Sequence, residues 1–313
     1  MRIPDDRERG EATHIGAALE EWIQRGIGRA TPESRSGTLT LPRELQGWPH
    51  IAHGGGVLAS LYELARPFLP DRDLVLASVK LQRSVDLERP LSWSLAPWER
   101  GVSLNLFQEE RLLAEARVAT LPAEESLPAA LLFKPGGVSE APTVPGNTGC
   151  LACGSENPIG LQIRFHYDER AVWKAYQPRP PYRRADGSLT PHFHFIVLDE
   201  IGWWLGVLSA GEGGLTNEIT VRVLRPTAFG APLLIHGARA SVVPEDDRGR
   251  LWRAEAIVSV DGQPVAAGSV RFAGTRGFTR RLIPGFLAAS QPEDVRRLFP
   301  QYLETARLME EES

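Results

Sequence analysis

The segment VKLQRSVDLERPLSW at residues 79–93 returns without a gap as VRVLRPTAFGAPLLI at 221–235. Val79 aligns with Val221, Arg83 with Arg225, Pro90 with Pro232 and Leu91 with Leu233. Both stretches read as strand, turn, strand. Downstream, RLLAEARVATL at 111–121 matches QPVAAGSVRFA at 263–273. Each is a strand entered through an acidic turn from an alternating strand, VSLNLF in the first copy and LWRAEAIVSV in the second. A repeat of this kind makes the chain two copies of one unit rather than a single large domain.

Upstream of its strands each copy has one apolar helix, GGGVLASLYELA at 54–65 and FHFIVLDEIGWWLGVL at 193–208. The second is apolar nearly all round, which suits a helix wrapped by sheet rather than one lying on a surface. One buried helix followed by four strands with short turns is an α+β unit whose antiparallel sheet covers the helix. The length of 313 residues agrees, being comfortable for two ordinary cores. A Pro-, Gly- and Ser-rich stretch, LPAEESLPAALLFKPGGVSEAPTVPGNTG, separates the copies. The expected organisation is an N-terminal helical extension at 1–36, a first unit at 37–121, a linker at 122–148, a second unit at 149–275 and a C-terminal helical tail at 276–313. The amphipathic stretches ATHIGAALEEWIQRGI and PEDVRRLFPQYLETARLMEEE are expected to pack on the outside.

Composition narrows the partners. With 42% hydrophobic and 24% charged residues, and no run of about 18 apolar residues, a membrane is not an expected partner. The start, MRIPDDRERGEATH, mixes acids with arginines and has no apolar stretch of signal type, so a cytoplasmic location is expected. A net charge of −4 gives no general attraction to nucleic acid. Cys150 and Cys153 are the only cysteines, which excludes a disulfide framework. Their C-x-x-C spacing could supply half of a zinc site or a redox pair, but zinc needs two further ligands and no second cysteine pair follows. They read as reduced thiols shaping a turn before a strand, and no metal or cofactor is expected.

The chemistry concentrates where the first helix starts, in GWPHIAHGGGVLASLYE at 47–63. Glycines after His53 let a ligand approach the backbone closely, and a helix N-terminus offers free N–H groups and partial positive charge to a developing oxyanion. His53, Gly54 and Gly55 are therefore a candidate oxyanion hole. The same glycines would also serve a tight loop and close helix packing.

An HGG turn opening a helix that carries an acid in its second or third turn resembles the PaaI-like acyl-CoA thioesterases of the hotdog fold. The second copy opens with CLACGSENPIGLQIRF, which resembles the C-x-x-C-G-x-x-N-P-x-G-L start of many proteins in that superfamily, and its LDEIGWW resembles their D-E helix segment. Together the likenesses cover most of residues 37–275. They imply two hotdog domains in tandem forming an intramolecular pseudo-dimer, with an acyl-CoA as substrate. A homo-oligomer is also compatible, because exposed edges of hotdog sheets often associate.

In that family the acid lies nine positions after the motif histidine, and each copy lacks one half of the site. The first copy has His53, Gly54 and Gly55, but Tyr62 stands at the acid's position, a phenol neutral at pH 7. The second keeps Asp199, but Thr190, Pro191 and His192 replace HGG, and Pro191 has no backbone N–H. Asp199 lies on the order of 13 Å from its own helix start and cannot serve it. The family pairs two units about a twofold axis, which implies one composite site of His53, Gly54, Gly55 and Asp199, opposite an inert pairing of Pro191 with Tyr62. The Gly54 N–H would bind the thioester carbonyl, with the Asp199 carboxylate on the order of 4 to 8 Å away. Asp199 would act either as general base on water or as nucleophile through a mixed anhydride.

Thr216 falls where related enzymes often carry a hydroxyl that holds the water, and Gln46 is a candidate for orienting the His53 loop. Arg83 and Arg225 would either bind coenzyme A phosphates or pair with acids at the sheet rim. Glu63 and Glu200 lie about 100° round the helix from the acid position and are read as structural or solvent-facing. His192 and His194 read as ordinary core or pocket histidines, and Trp48, Trp203 and Trp204 would line an acyl pocket or belong to a core. Two rival readings remain: a hotdog hydratase or dehydratase of enoyl or 3-hydroxyacyl thioesters, suggested by PHFHF followed by Glu200, and a non-catalytic acyl-CoA-binding protein.

Overall fold

The computed structural model describes residues 19–27, 34–70, 74–121 and 141–302. Helix α1 (Leu19–Ile27) and strand β1 (Ser36–Thr40) precede a small hairpin of β2 (Gln46–Trp48) and β3 (Ile51–Ala52), which delivers the chain to α2 (Gly54–Ala65). Strands β4 (Val75–Leu81), β5 (Pro90–Trp98), β6 (Gly101–Gln108) and β7 (Arg111–Thr120) complete the first unit. The second has β8 (His166–Tyr167), β9 (Ala171–Tyr176), α3 (Pro191–Ala210), β10 (Gly214–Val223), β11 (Leu233–Ala238), β12 (Val243–Pro244), β13 (Leu251–Val260) and β14 (Gln263–Gly274). Helices α4 (Phe278–Ala289) and α5 (Pro292–Leu298) follow.

Helix α2 occupies the apolar run read from the sequence. Helix α3 is longer than the expected 193–208. Extended Thr190 precedes Pro191 at the first helical position, where the missing N–H costs nothing, and Gly211 in the left-handed region stops the far end. By length and apolarity α3 could cross a membrane, but it is buried along residues 191–207 as the central helix of the second unit.

The sequence implies a separate sheet for each unit, and the two are instead continuous. The strand order is β1-β5-β6-β7-β4-β10-β14-β13-β11-β9-β8, with β12 added to β13. Within it, β5-β6-β7-β4 of the first unit mirror β11-β13-β14-β10 of the second. The join is β4 against β10, antiparallel, with Ser78 opposite Thr220 and Val79 opposite Ile219. Ser78 and Thr220 are counterparts in the repeat, so an approximate twofold axis passes through their pairing. The physical reason for the join is that either strand alone would be an open edge with unpaired N–H and C=O groups along buried Val75, Ala77 and Val79, or Ile219 and Val221.

Inside the curled sheet, α2 and α3 lie against each other. A Cβ on Gly55 would stand 2.4 Å from the Phe195 carbonyl oxygen and 2.6 Å from the Ile196 Cα, so the contact is possible only with glycine. Leu19 and Ile23 of α1 are fully buried in the core, so this part of the N-terminal amphipathic stretch contributes to the interior rather than only covering it. Residues 12–18 of that stretch, 122–140 of the expected linker and 303–312 of the C-terminal stretch lie outside the described residues.

Candidate functional site

The α2–α3 contact brings the start of α2 to the middle of α3. His53 stands at the cap of α2, its Nδ1 3.1 Å from the Gly55 nitrogen. The β2–β3 hairpin fixes this turn: His53 N–H donates to the Leu45 carbonyl at 2.8 Å, and the Gln46 side-chain oxygen accepts from the His50 N–H at 3.4 Å. Asp199, from the other unit, accepts from the same Gly55 N–H through Oδ2 at 2.7 Å. Its Oδ1 accepts from the Thr216 hydroxyl at 2.8 Å, beside an irregularity of β10 between Thr216 and Glu218. Asp199 thus meets the start of α2 through a direct hydrogen bond from the Gly55 N–H. The Gly54 N–H, at the first helical position, stays outside the helix's own ladder.

Electrostatics follows from burial. Asp199 is buried, which pushes its carboxyl above the usual range against the opposing pull of His53, Thr216 and the Gly55 amide. Burial would lower the His53 pKa, but Asp199 at 3.2 Å from Nδ1 and Glu200 at 3.3 Å from Nε2 outweigh it and raise it to about 9. Glu200 is buried, so of its two sequence readings the structural one fits and the solvent-facing one does not. Helix α3 has no solvent face, so a residue 100° round from Asp199 still faces the His53 turn. Its other oxygen accepts from Trp204 Nε1 at 3.1 Å, one helical turn on, a spacing visible in the sequence.

These groups form the polar end of a cavity of about 210 Å³. Trp48, Trp203, Trp204, Leu215 and Phe286 line its apolar part. Trp48 and Trp203 have ring centroids 5.4 Å apart, and Phe286 packs edge-on to Trp48 at 6.0 Å. Phe286 comes from α4, which the sequence reading did not single out. Cys150 and Cys153 also line the cavity, both as free thiols. The Cys153 thiol hydrogen-bonds the Cys150 sulfur, which lowers the pKa of Cys150 and raises that of Cys153. Arg83 is exposed at the cavity edge, whereas Arg225 does not line it.

The counterpart arrangement about the twofold is closed. Tyr62 is buried edge-on against His192 and Phe195, each with ring centroids 5.3 Å away. Glu63, the counterpart of Glu200, sits 3.1 Å from His192 Nε2 and 3.3 Å from Arg66. Glu20 of α1 reaches in, accepting from the Thr190 hydroxyl at 2.7 Å and pairing with Arg66 at 3.0 Å and Arg184 at 3.2 Å. His194 is buried, and burial lowers its pKa to about 3. Among the described residues, neither His192 nor His194 lines the Asp199 cavity.

No family model matches the chain, and no curated protein matches it in sequence. Solved structures do match in shape. A candidate thioesterase II from Thermobifida fusca YX superposes with a TM-score of 0.58 at 15% identity, covering 82% of this chain and 99% of that one. A protein with hot dog fold from Alicyclobacillus acidocaldarius gives 0.52 at 13% identity over 81% and 97%, and the acyl-CoA thioesterase II TesB2 of Mycobacterium marinum gives 0.51 at 12% over 83% and 98%. The chain has the hotdog fold, and each match spans more of it than one unit could.

Proposed function

We propose that the chain hydrolyses an acyl thioester, with acyl-CoA as the substrate class, at one composite site between its two units. The observation that carries this reading is Asp199 of one unit accepting the Gly55 N–H of the other at 2.7 Å, at the polar end of an apolar cavity. The thioesterase names of two structural neighbours support it.

The acyl group would occupy the aromatic part of the cavity, where burial of apolar surface supplies affinity. The thioester oxygen would accept from the Gly54 N–H, at the positive end of the α2 dipole, so that charge developing on oxygen meets a fixed donor. Burial keeps Asp199 more basic than a surface aspartate, and the Thr216 hydroxyl holds Oδ1 so that Oδ2 faces the α2 turn. Asp199 then either takes a proton from water as it adds to the carbonyl or attacks the carbonyl itself. The C–S bond breaks in both cases, and water supplies the oxygen of the acid and the proton of the thiol. Arg83 places positive charge where coenzyme A phosphates would leave the cavity. His192 and His194 lie away from the Asp199 cavity, so the histidines of PHFHF lend no support to the hydratase reading.

Thiol release from short, medium, long and aromatic acyl-CoAs tests the proposal. Asp199→Asn is expected to lower kcat/KM by about 10²–10⁴-fold with the fold intact by circular dichroism. Undiminished release in that variant, or loss of enoyl-thioester absorbance in place of thiol release, would refute it.

A further inference from the structure

We propose that His53, Cys150 and Glu200 bind one divalent transition-metal ion, zinc by the chemistry of the ligands, in the wall of the same cavity. The sequence expectation of no metal rested on the lack of a second cysteine pair. Folding supplies a histidine and a carboxylate in its place, from the cap of α2 and the middle of α3.

Three observations converge. One ligand atom from each of the three residues lies within 4.8 Å of the others, and all three side chains are buried. His53 Nε2 and Glu200 Oε2 are 3.3 Å apart. Two atoms each about 2.0–2.1 Å from a tetrahedral zinc ion would be separated by about that distance. The Ala152 and Cys153 N–H groups both point at Cys150 Sγ, at 3.3 and 3.5 Å, so the C-x-x-C turn presents the sulfur as an acceptor, the role a metal-bound thiolate needs.

The histidine is oriented for this. An ion on Nε2 would displace the proton that Nε2 otherwise shares with Glu200, while Nδ1 would keep its own and donate to Asp199 Oδ2, 3.2 Å away, a carboxylate–histidine–metal arrangement that would fix tautomer and ring angle. The Gly55 N–H then keeps Asp199 Oδ2 as its acceptor. One sulfur, one nitrogen and one oxygen ligand suit zinc and disfavour magnesium or calcium, which take oxygen. All three residues line the cavity, so a fourth ligand could reach the ion from it, the three-ligand pattern of a zinc site that admits an exchangeable ligand.

The test reads metal rather than turnover, so its failure and that of thioester hydrolysis are distinguishable. Elemental analysis of the full chain purified without added chelator, followed by Co²⁺ titration of the stripped protein, is expected to give one ion per chain. A thiolate-to-cobalt charge-transfer band should appear that Zn²⁺ abolishes. Cys150→Ser should remove the band, and Glu200→Gln, close in shape to the native side chain, should weaken Co²⁺ binding by at least about tenfold. The proposal is overturned if the wild-type chain takes up no more Co²⁺ than Cys150→Ser, if Glu200→Gln binds as the wild type does, or if the purified chain holds a Cys150–Cys153 disulfide and no metal.

Discussion

Asp199 has to be buried and charged at once, and three neighbours make that tolerable: the Gly55 amide, the Thr216 hydroxyl and His53. Thr216→Val isolates one of them at nearly constant volume. Losing a hydrogen bond to a carboxylate costs about 1–3 kcal/mol, so kcat/KM should fall by about 5- to 150-fold. The bond favours the ionised form, so its loss raises the Asp199 pKa further, and the acid limb of the pH–rate profile should move to higher pH. An unmoved limb would mean that Thr216 does not act through Asp199. The meeting of Asp199 with the His53 turn is legible in the sequence through the resemblance to hotdog thioesterases, against which the two copies show complementary losses. Glu200 is not legible in the same way, since helical angle alone tells where a residue points and not whether solvent is there. Nor is the place of Cys150 beside His53, which depends on the Leu151 N–H meeting the Gln46 carbonyl across the two units.

At the scale of elements, the α2–α3 contact decides whether those residues meet. A Cβ on Gly55 would be 2.4 Å from backbone oxygen of α3, whereas the tightest contact of one on Gly56 would be the flexible end of Leu151 at 3.1 Å, with Leu45 at an ordinary contact distance of 3.5 Å. Gly55→Ala should therefore destabilise by about 1–3 kcal/mol as the helices part, with activity lost alongside. Gly56→Ala should stay within about 1 kcal/mol of wild type, the tight contact being offset by better helix propensity. Urea denaturation of the pair measures this, and equal losses would show that close packing at Gly55 is not what joins the units. Helix α2 was readable to the residue from its run of apolar positions after a glycine turn. Helix α4 falls within the expected helical tail, but its bounds and its buried face of Leu282, Ile283 and Phe286 were hidden by the breaker residues Pro284 and Gly285 in GFTRRLIPGFLAAS. The β4–β10 join was also hidden, since each half-sheet has the same alternation whether its edge is free or paired.

Across the whole molecule the two ends of the twofold have become unlike, one open to a cavity and the other filled with charge. Burial works against the charge of Glu63, yet His192, Arg66 and Gln24 outweigh it and hold the pKa below the ordinary value of 4.5. A depressed carboxylate contributes stability above its unfolded pKa and loses it as pH falls through the folded one. Glu63→Gln should thus lower unfolding free energy by about 1–3 kcal/mol at neutral pH, with the gap to wild type closing in acid. A gap constant with pH would mean that the carboxylate is not charged there. The same filling governs ligand stoichiometry. A symmetric pair of hotdog units has two equivalent clefts, but here Glu20 occupies the second through Thr190, Arg66 and Arg184, Pro191 offers no N–H, and Tyr62 is sealed under His192 and Phe195. Opening that end would break the buried Glu63–His192 pair and the partly buried pairs of Glu20 with Arg66 and Arg184 at once, a cost that binding one acyl group does not offset. Under the proposed function, calorimetry with a non-hydrolysable thioether analogue of an acyl-CoA should therefore give one ligand per chain. Tyr62→Phe should leave both stoichiometry and turnover within about twofold of wild type, because a residue that touches neither ligand nor reacting atoms has little effect on binding or rate. Two ligands per chain, or a large loss in Tyr62→Phe, would mean that the second cleft opens in solution and that the division into a working and a closed end is wrong.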